Sequence, residues 1–315
     1  MKYTAVIRTL GKGGTKYQRL LDSLCAQTIV PTDIIVYIAE GYDLPKETCG
    51  REKYVRVKKG MVAQRALPYD EVQTEYILFL DDDLYLPADF VENMASQLIK
   101  HNADIISPDI YPNHKRGLKS ELFMTVSGRM RARRFDNKWG YKVMRTGGYS
   151  YNKYPASGAY LSQTNAGACF LCRKTDFLKI RFSDELWLDN MPYPIGEDQV
   201  MYYKMYLAGL KQLTLFGSGI EHLDGDSTRA DDPDRELRLL EADTYFKTVF
   251  FHRFTLPYRR CRIWSRICFG YYNLFTLGIS LLKGQPQIFK VKRNGMRKAK
   301  KRLNSQEYIP LSISR

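Results

Sequence analysis

The stretch Tyr76–Pro87, YILFLDDDLYLP, runs five apolar residues straight into three consecutive aspartates. An apolar run without a polar break predicts a strand buried on both faces, as the strands of a parallel sheet are. In an open α/β sheet, ligands sit beyond the carboxyl ends of the strands, and that is where the aspartates fall. If the chain stays extended past Leu80, alternate side chains share a side, so Asp81 and Asp83 are expected to point together and Asp82 away. Two hard oxygen donors so placed suit Mg²⁺ or Mn²⁺, which keep some waters and take further oxygens from a ligand's phosphates. A solvated turn that merely caps the next helix would need only Asp89.

The flanking sequence keeps a strand-and-helix rhythm. TAVIRT (4–9) and DIIVYIA (33–39) read as strands, and TKYQRLLDSLCAQT (15–28) carries Leu20, Leu21, Leu24 and Cys25 on one helical side. Residues 40–60 read as a connector and MVAQRALPYDEV (61–72) as a helix. The alternation implies an α/β fold with a mixed, mainly parallel sheet flanked by helices. Further along, NAGACFLCRKTDFLKI (165–180) reads as strand then helix, GEDQVMYYKMYLAGLK (196–211) as a helix opening on its acidic end, and QLTLFG (212–217) as a strand. Residues 113–154 are basic and aromatic, and read either as an ordered loop gripping a phosphate-bearing or sugar-like ligand or as a solvated insertion. GKGGT (11–15) is a turn, because Lys16 stands where a dinucleotide fingerprint needs its third glycine.

A chain of 315 residues, 44% hydrophobic and 13% aromatic, can bury a large core, and the composition excludes disordered and fibrous classes. Six scattered cysteines and an opening without an apolar signal core lead to the expectation of a reduced, cytoplasmic setting. Cys169 and Cys172 form a CxxC inside the apolar run ACFLC, with no second pair at zinc spacing, and read as buried thiols.

The net charge is +15, of which residues 251–315 supply +14 through 15 Lys and Arg against Glu307 alone. We therefore expect a body over 1–250 and a basic, helical extension over 251–315 that docks on a polyanion, either nucleic acid or an anionic leaflet. Ile267–Leu282 is apolar for 16 residues between arginines and Lys283, short of the ~20 a spanning helix needs. Trp264, Tyr271 and Tyr272 beside the arginines suit a helix lying in the interface. Each basic residue adds roughly 1 kcal/mol at an anionic surface, so the expectation is peripheral association with the inner membrane rather than a nucleic-acid arm.

Two further acidic residues, Glu197 and Asp198, open a helix, where the positive end of its dipole favours carboxylates. Asp198 can serve as a base toward a hydroxyl, and His222 can be a metal or phosphate ligand.

Taken in order, SLCAQT with DIIVYIAEG, GMVAQRAL, TEYILFLDDDLYLPADFVENM, NAGACFLCRKTDF, GEDQVMYYKMYLAGLK and EHLDGDST resemble the glycosyltransferases of family 2, inverting nucleotide-sugar transferases with the GT-A fold. The resemblance covers roughly residues 3–230. It implies that Asp81, with Asp82 beside it, contacts the donor's nucleoside portion and that Asp83, with Asp81 and His222, holds Mn²⁺ or Mg²⁺ against the diphosphate. It further implies that Asp198 is the general base, that Glu197 positions the acceptor, and that Arg65 lines the donor pocket. The family's second strand usually ends in Asp-Asp-Gly-Ser; here it is AEGYD, so Glu40 or Asp43 is expected to read the nucleotide, a UDP-sugar by preference. Thr9 stands where many relatives have Pro, and Ala66 where Asn is usual. The Q-x-x-R-W signature of processive synthases is not found, so one sugar is expected to be added to a glycan or lipid-linked acceptor, in cell-surface polysaccharide or glycolipid synthesis.

Two rival readings remain. LFLDDDLY with GDSTRAD (225–231) resembles a haloacid-dehalogenase-like phosphatase, although Tyr85 stands where that family has Thr or Val and GED has no use there. The basic tail on an α/β scaffold could instead be a non-enzymatic nucleic-acid binder, recognisable by salt-dependent binding.

Overall fold

Side-chain alternation in the apolar strands sorts the core into two layers. In the strand that opens YILFLDDD, Ile77 and Phe79 enter one cluster of buried residues and Leu78 and Leu80 the other. The computed structural model describes residues 1–110, 116–223 and 233–311. The elements run β1 (Tyr3–Thr9), α1 (Thr15–Cys25), β2 (Asp33–Ala39), β3 (Glu52–Val57), β4 (Tyr76–Asp81), β5 (Leu84–Tyr85), α2 (Phe90–Lys100) and β6 (Ile105–Pro108). They continue through α3 (Leu118–Val126), β7 (Met130–Arg133), β8 (Trp139–Val143), β9 (Tyr149–Asn152), β10 (Gly158–Ser162), β11 (Cys169–Arg173) and α4 (Lys174–Lys179). Last come α5 (Glu197–Leu207), β12 (Gln212–Phe216), β13 (Glu221–His222), α6 (Pro233–Phe250), α7 (Arg262–Leu282) and α8 (Pro286–Leu303).

Eleven strands form one sheet in the order β3-β2-β1-β4-β11-β6-β12-β10-β8-β9-β7, and β13 pairs with β5 in a separate ribbon. The first four are mutually parallel; β11 runs antiparallel to both β4 and β6. One face is covered by α1 and α2, through Leu20, Leu21, Leu24, Phe90, Met94 and Leu98. The other is covered by α5 and α6, through Val200, Met201, Phe246 and Phe250. This is the mixed, mainly parallel architecture of the GT-A fold, with helices closing the C-terminal end. Cys169 and Cys172 are both buried, but three residues apart in β11 they fall in opposite layers, so they cannot share a ligand.

Four local expectations are corrected. MVAQRALPYDEV is not a helix: residues 61–66 close a single turn, with Ala66 N–H donating to the Val62 carbonyl at 2.7 Å. Pro68 then blocks continuation, since the residue before a proline is pushed out of the helical region. The connector 40–60 contains β3, an edge strand whose alternating charges and half-buried Tyr54, Val55 and Val57 conceal it. The basic segment 113–154 is neither loop nor plain insertion, because its described part folds as α3, β7, β8 and β9 and extends the sheet. Finally, the chain does not stay extended after Asp81: Asp82 and Asp83 form a turn between β4 and β5. The acidic loop GDSTRAD lies outside the described residues.

The C-terminal helices return to the body. α8 lies on α6, where Gly295 sits against the Glu241 backbone and the Lys298 ammonium pairs with Glu241 at 2.6 Å. Arg253, just after α6, is buried on Glu185 (2.9 Å), which also takes Lys204 (2.9 Å).

Candidate active site

The site lies at the carboxyl ends of β1 and β4. Arg8 is a lone cation near the end of a strand whose neighbours are apolar, and its partner is Asp81, the register neighbour on β4. The guanidinium takes both carboxylate oxygens, Nε to Oδ1 at 2.5 Å and Nη2 to Oδ2 at 3.1 Å. Burial alone would raise Asp81, but Arg8 and then Arg65 hold it below the usual carboxylate range.

Arg65 is the hinge of the arrangement. Only 3% of its side chain is exposed, and it lies 3.6 Å from Asp81 Oδ1 and 3.0 Å from Asp198 Oδ1, while its Nη2 donates to the Gly167 carbonyl at 2.8 Å. Gly167 explains the glycine of NAGACF. A Cβ there would stand 1.9 Å from Asp198 Oδ1, so no other residue leaves room for the pair. The turn that carries Arg65 is fixed by Asp189, whose carboxylate accepts from the N–H groups of Val62 and Ala63 at 2.8 and 2.9 Å.

Gly196 opens α5 with φ +84°, and a Cβ on it would meet the Phe246 ring at 2.4 Å, so both backbone and packing demand glycine. Glu197 and Asp198 follow in the first turn and diverge. Glu197 turns toward Arg8 (3.7 Å); burial, then the adjoining Asp198, push it up to about 7 despite both arginines. Asp198 faces a cavity of about 230 Å³ with Asp109, Tyr141 and Asn165.

The remaining aspartates face a larger cavity of about 800 Å³, lined also by Arg8, Thr9, Lys12, Lys16 and Lys59. Thr9 donates its hydroxyl to Asp82. Burial, then Asp83 and Asp81, push Asp82 up to about 6 against that bond. The ribbon of β5 and β13 brings His222 to Asp83, Nε2 to Oδ2 at 3.3 Å, and the Leu223 N–H donates to the Asp83 carbonyl at 2.8 Å. Burial raises Asp83 from its ordinary value, with His222 opposing. Its second oxygen, Oδ1, is buried with no hydrogen-bond partner among the described residues.

That unsatisfied oxygen is an acceptor with nothing to accept, and a divalent cation fits it. Asp83 and His222 offer one oxygen and one nitrogen donor, a set compatible with Mn²⁺ or Mg²⁺. Among the described residues no cluster of three or more His, Cys, Asp or Glu side chains is arranged to hold a metal, so a cation here would need further ligands from water or substrate. Asp81, expected as a metal ligand, has both oxygens committed to Arg8.

Of the residues expected from sequence, the structure gathers Thr9, Arg65, Asp81, Asp82, Asp83, Glu197, Asp198 and His222. It does not bring in Glu40 and Asp43, which are exposed and do not line the cavity. Between them Tyr42 lies under the ammonium groups of Lys12 (5.3 Å) and Lys59 (4.9 Å). Arg8 and Asp189 were not foreseen. An arginine in the otherwise apolar TAVIRT is the signal that would have found the first, because a buried guanidinium requires a carboxylate. Asp189 carries no comparable signal.

This sheet, with a carboxylate turn after β4 and an acidic helix start across from it, is the layout of a GT-A glycosyltransferase. Residues 17–177, more than half of the chain, match the family described as Glycosyl transferase family 2; the chain belongs to that family. Among solved structures it is similar to GalNAc-T7 crystallised with UDP, GalNAc and Mn²⁺, at 13% identity over 91% of this chain and a TM-score of 0.50. It spans 59% of the length of that chain. S. aureus TarS also matches, at 13% identity over 82% of this chain and 44% of that one (TM-score 0.44). Its 1–349 fragment matches at 12% over 96% and 92% (TM-score 0.45). No curated protein matches the sequence. The family assignment sets the phosphatase reading aside.

Proposed function

We propose that the chain is an inverting, metal-dependent glycosyltransferase that moves one sugar from a nucleotide-sugar, a UDP-sugar by preference, to a hydroxyl of a glycan or lipid-linked acceptor. The observation that carries the reading is the pair of cavities bridged by Asp81, Arg65 and Asp198, with the unsatisfied Asp83 oxygen on the larger one. Asp83 and His222 would hold Mn²⁺ or Mg²⁺, which when bound supplies positive charge to the donor diphosphate.

The protein's own groups do the rest. Lys12, Lys16 and Lys59 present further positive charge to the diphosphate, where stabilising developing charge is usually the largest catalytic contribution. Arg8 fixes Asp81, and Arg65 fixes Asp198. The Asp198 carboxylate takes the proton of the acceptor hydroxyl. The hydroxyl oxygen attacks the anomeric carbon opposite the diphosphate, the sugar–oxygen bond breaks, and its electron pair leaves with the nucleotide. One displacement inverts the anomeric centre, and no protein nucleophile is needed. Incubation with Mn²⁺ and a panel of UDP-sugars should release UDP and give a product of opposite anomeric configuration by NMR; retention of configuration would contradict the reading.

We also place the enzyme at an anionic membrane, in cell-surface polysaccharide or glycolipid synthesis. No helix among the described residues is long and apolar enough to cross a bilayer. α7 buries Ser265, Phe269, Tyr272 and Ser280 and leaves Ile263, Trp264, Ile267, Leu274 and Leu282 more than half exposed, an amphipathic design that lies in an interface. The full chain should sediment with vesicles containing anionic lipid, and Trp264→Glu with Leu274→Glu should release it. Binding to RNA or DNA in place of vesicles would support the nucleic-acid alternative.

A further inference from the structure

The cavity that holds Asp198 adjoins a larger one of about 630 Å³, and the two share Tyr149, Gly196 and Gln199. Its walls are of two kinds. Leu237, Leu240 and Phe246 of α6, with Ile195 and Ile288, make one side apolar. Arg116, Arg129 and Lys247 make the other cationic.

Two acids also reach this space, Glu236 and Asp243. Asp243 is answered within the wall, by Lys247 and by Arg129 at 3.9 Å. Lys292 stands close enough that burial, then Lys247 and Arg129, depress its affinity for a proton. Arg116 has no such answer: its Nε is buried without a hydrogen-bond partner among the described residues. A guanidinium is a planar fork suited to phosphate oxygens, and an unmet buried donor marks a place where an anion would be bound.

The surroundings point to what else that anion carries. α3 begins two residues after Arg116 and exposes Leu118, Leu122, Phe123 and Val126. The Phe123 ring lies 6.0 Å from Phe275 of α7, so the exposed apolar face of α3 adjoins the helix assigned above to the membrane. Apolar surface, cationic cavity and Asp198 thus lie in sequence.

We propose that the acceptor is a phosphate-bearing, lipid-linked saccharide: its phosphate seats on Arg116 and Arg129, its lipid runs along Leu237 and Leu240 toward α3 and α7, and its hydroxyl reaches Asp198. This rests on the glycosyltransferase reading and names the acceptor class for it. A free sugar phosphate would use the cationic wall and ignore the apolar one.

The test is calorimetry on the full chain with farnesyl phosphate below its critical micelle concentration, against farnesol and inorganic phosphate, with UDP plus Mn²⁺ titrated separately. Farnesyl phosphate should bind about tenfold or more tightly than farnesol, the effect of one charge-assisted hydrogen bond, and about tenfold or more tightly than inorganic phosphate, the effect of burying its apolar chain. Arg116→Gln should lose the margin over farnesol, Arg116→Lys should keep only part of it because a lysine has no fork, and UDP binding should be the same in the wild type and both variants. Equal binding by Arg116→Gln, or inorganic phosphate or farnesol binding as well as farnesyl phosphate, would overturn the assignment. If UDP binds and farnesyl phosphate does not, the acceptor class is wrong and the transferase reading stands. Failure of UDP to bind takes both down.

Discussion

Two clusters of carboxylates face each other across Arg65, and they are built on opposite principles. At the start of α5, Glu197 and Asp198 are met by the protein's own cations: Arg8 lies 3.7 Å from the one and Arg65 3.0 Å from the other. At the end of β4, only Asp81 is so met. Asp82 has a hydroxyl and Asp83 a histidine, and one Asp83 oxygen has no partner among the described residues. Each acid of the first cluster has an arginine beside it; in the second, one Asp83 oxygen has no hydrogen-bond partner among the described residues. That asymmetry supports the proposal that the first takes a proton and the second binds a ligand.

The strongest way to break the comparison is at the incomplete end. Asp83→Ala should lower kcat/KM on the order of a thousandfold or more, the scale of losing one preorganised electrostatic contact. Stability should change little, or rise, because a carboxylate that burial already disfavours is removed. Asp198→Asn should cost roughly a hundredfold or more in kcat, the range for a general base, while UDP affinity stays near that of the wild type. Loss of UDP binding in that variant would blur the two roles into one.

Arg65→Gln tests whether the clamp is structural as well. Removing one partner of a buried ion pair costs about 3–5 kcal/mol, so a melting temperature lowered by several degrees or more is expected; an unchanged one would mean that Asp198 is held by something else.

The smallest effect is on pH. Glu197 moves from an ordinary 4.5 to about 7 in the folded chain, so between those values the folded state binds more protons than the unfolded one. Stability should therefore fall as pH rises through that window, by at most about 1.4 kcal/mol per unit. Glu197→Gln should flatten the slope, and urea titrations at pH 5, 6 and 7 would measure it.

How much of this was legible in the sequence follows from where polarity is hidden. β1, β2, β4, β11 and β12 announce themselves because both faces are buried and apolar residues predominate in each. β3 and β7 to β9 do not, because they lie toward the edges of the sheet, where one face meets solvent and residues such as Lys53, Arg56, Arg131 and Arg133 dilute the pattern. The acidic motifs of the site were visible as clusters, yet their partners were not. Arg8 is paired through a neighbouring strand 73 residues away, and Asp189 fixes a turn 127 residues before it. The nucleotide-reading role expected of Glu40 and Asp43 rested on the resemblance of AEGYD to Asp-Asp-Gly-Ser, and both residues flank the turn at Gly41 (φ +81°) without lining the cavity.

The most direct test of the central claim is UDP binding by calorimetry in Mn²⁺ and in EDTA, for the wild type and Asp83→Ala. The account predicts tight binding by the wild type in Mn²⁺ alone, and weak binding by the variant in both. Equal UDP affinity with and without the cation, or in the two proteins, would contradict it.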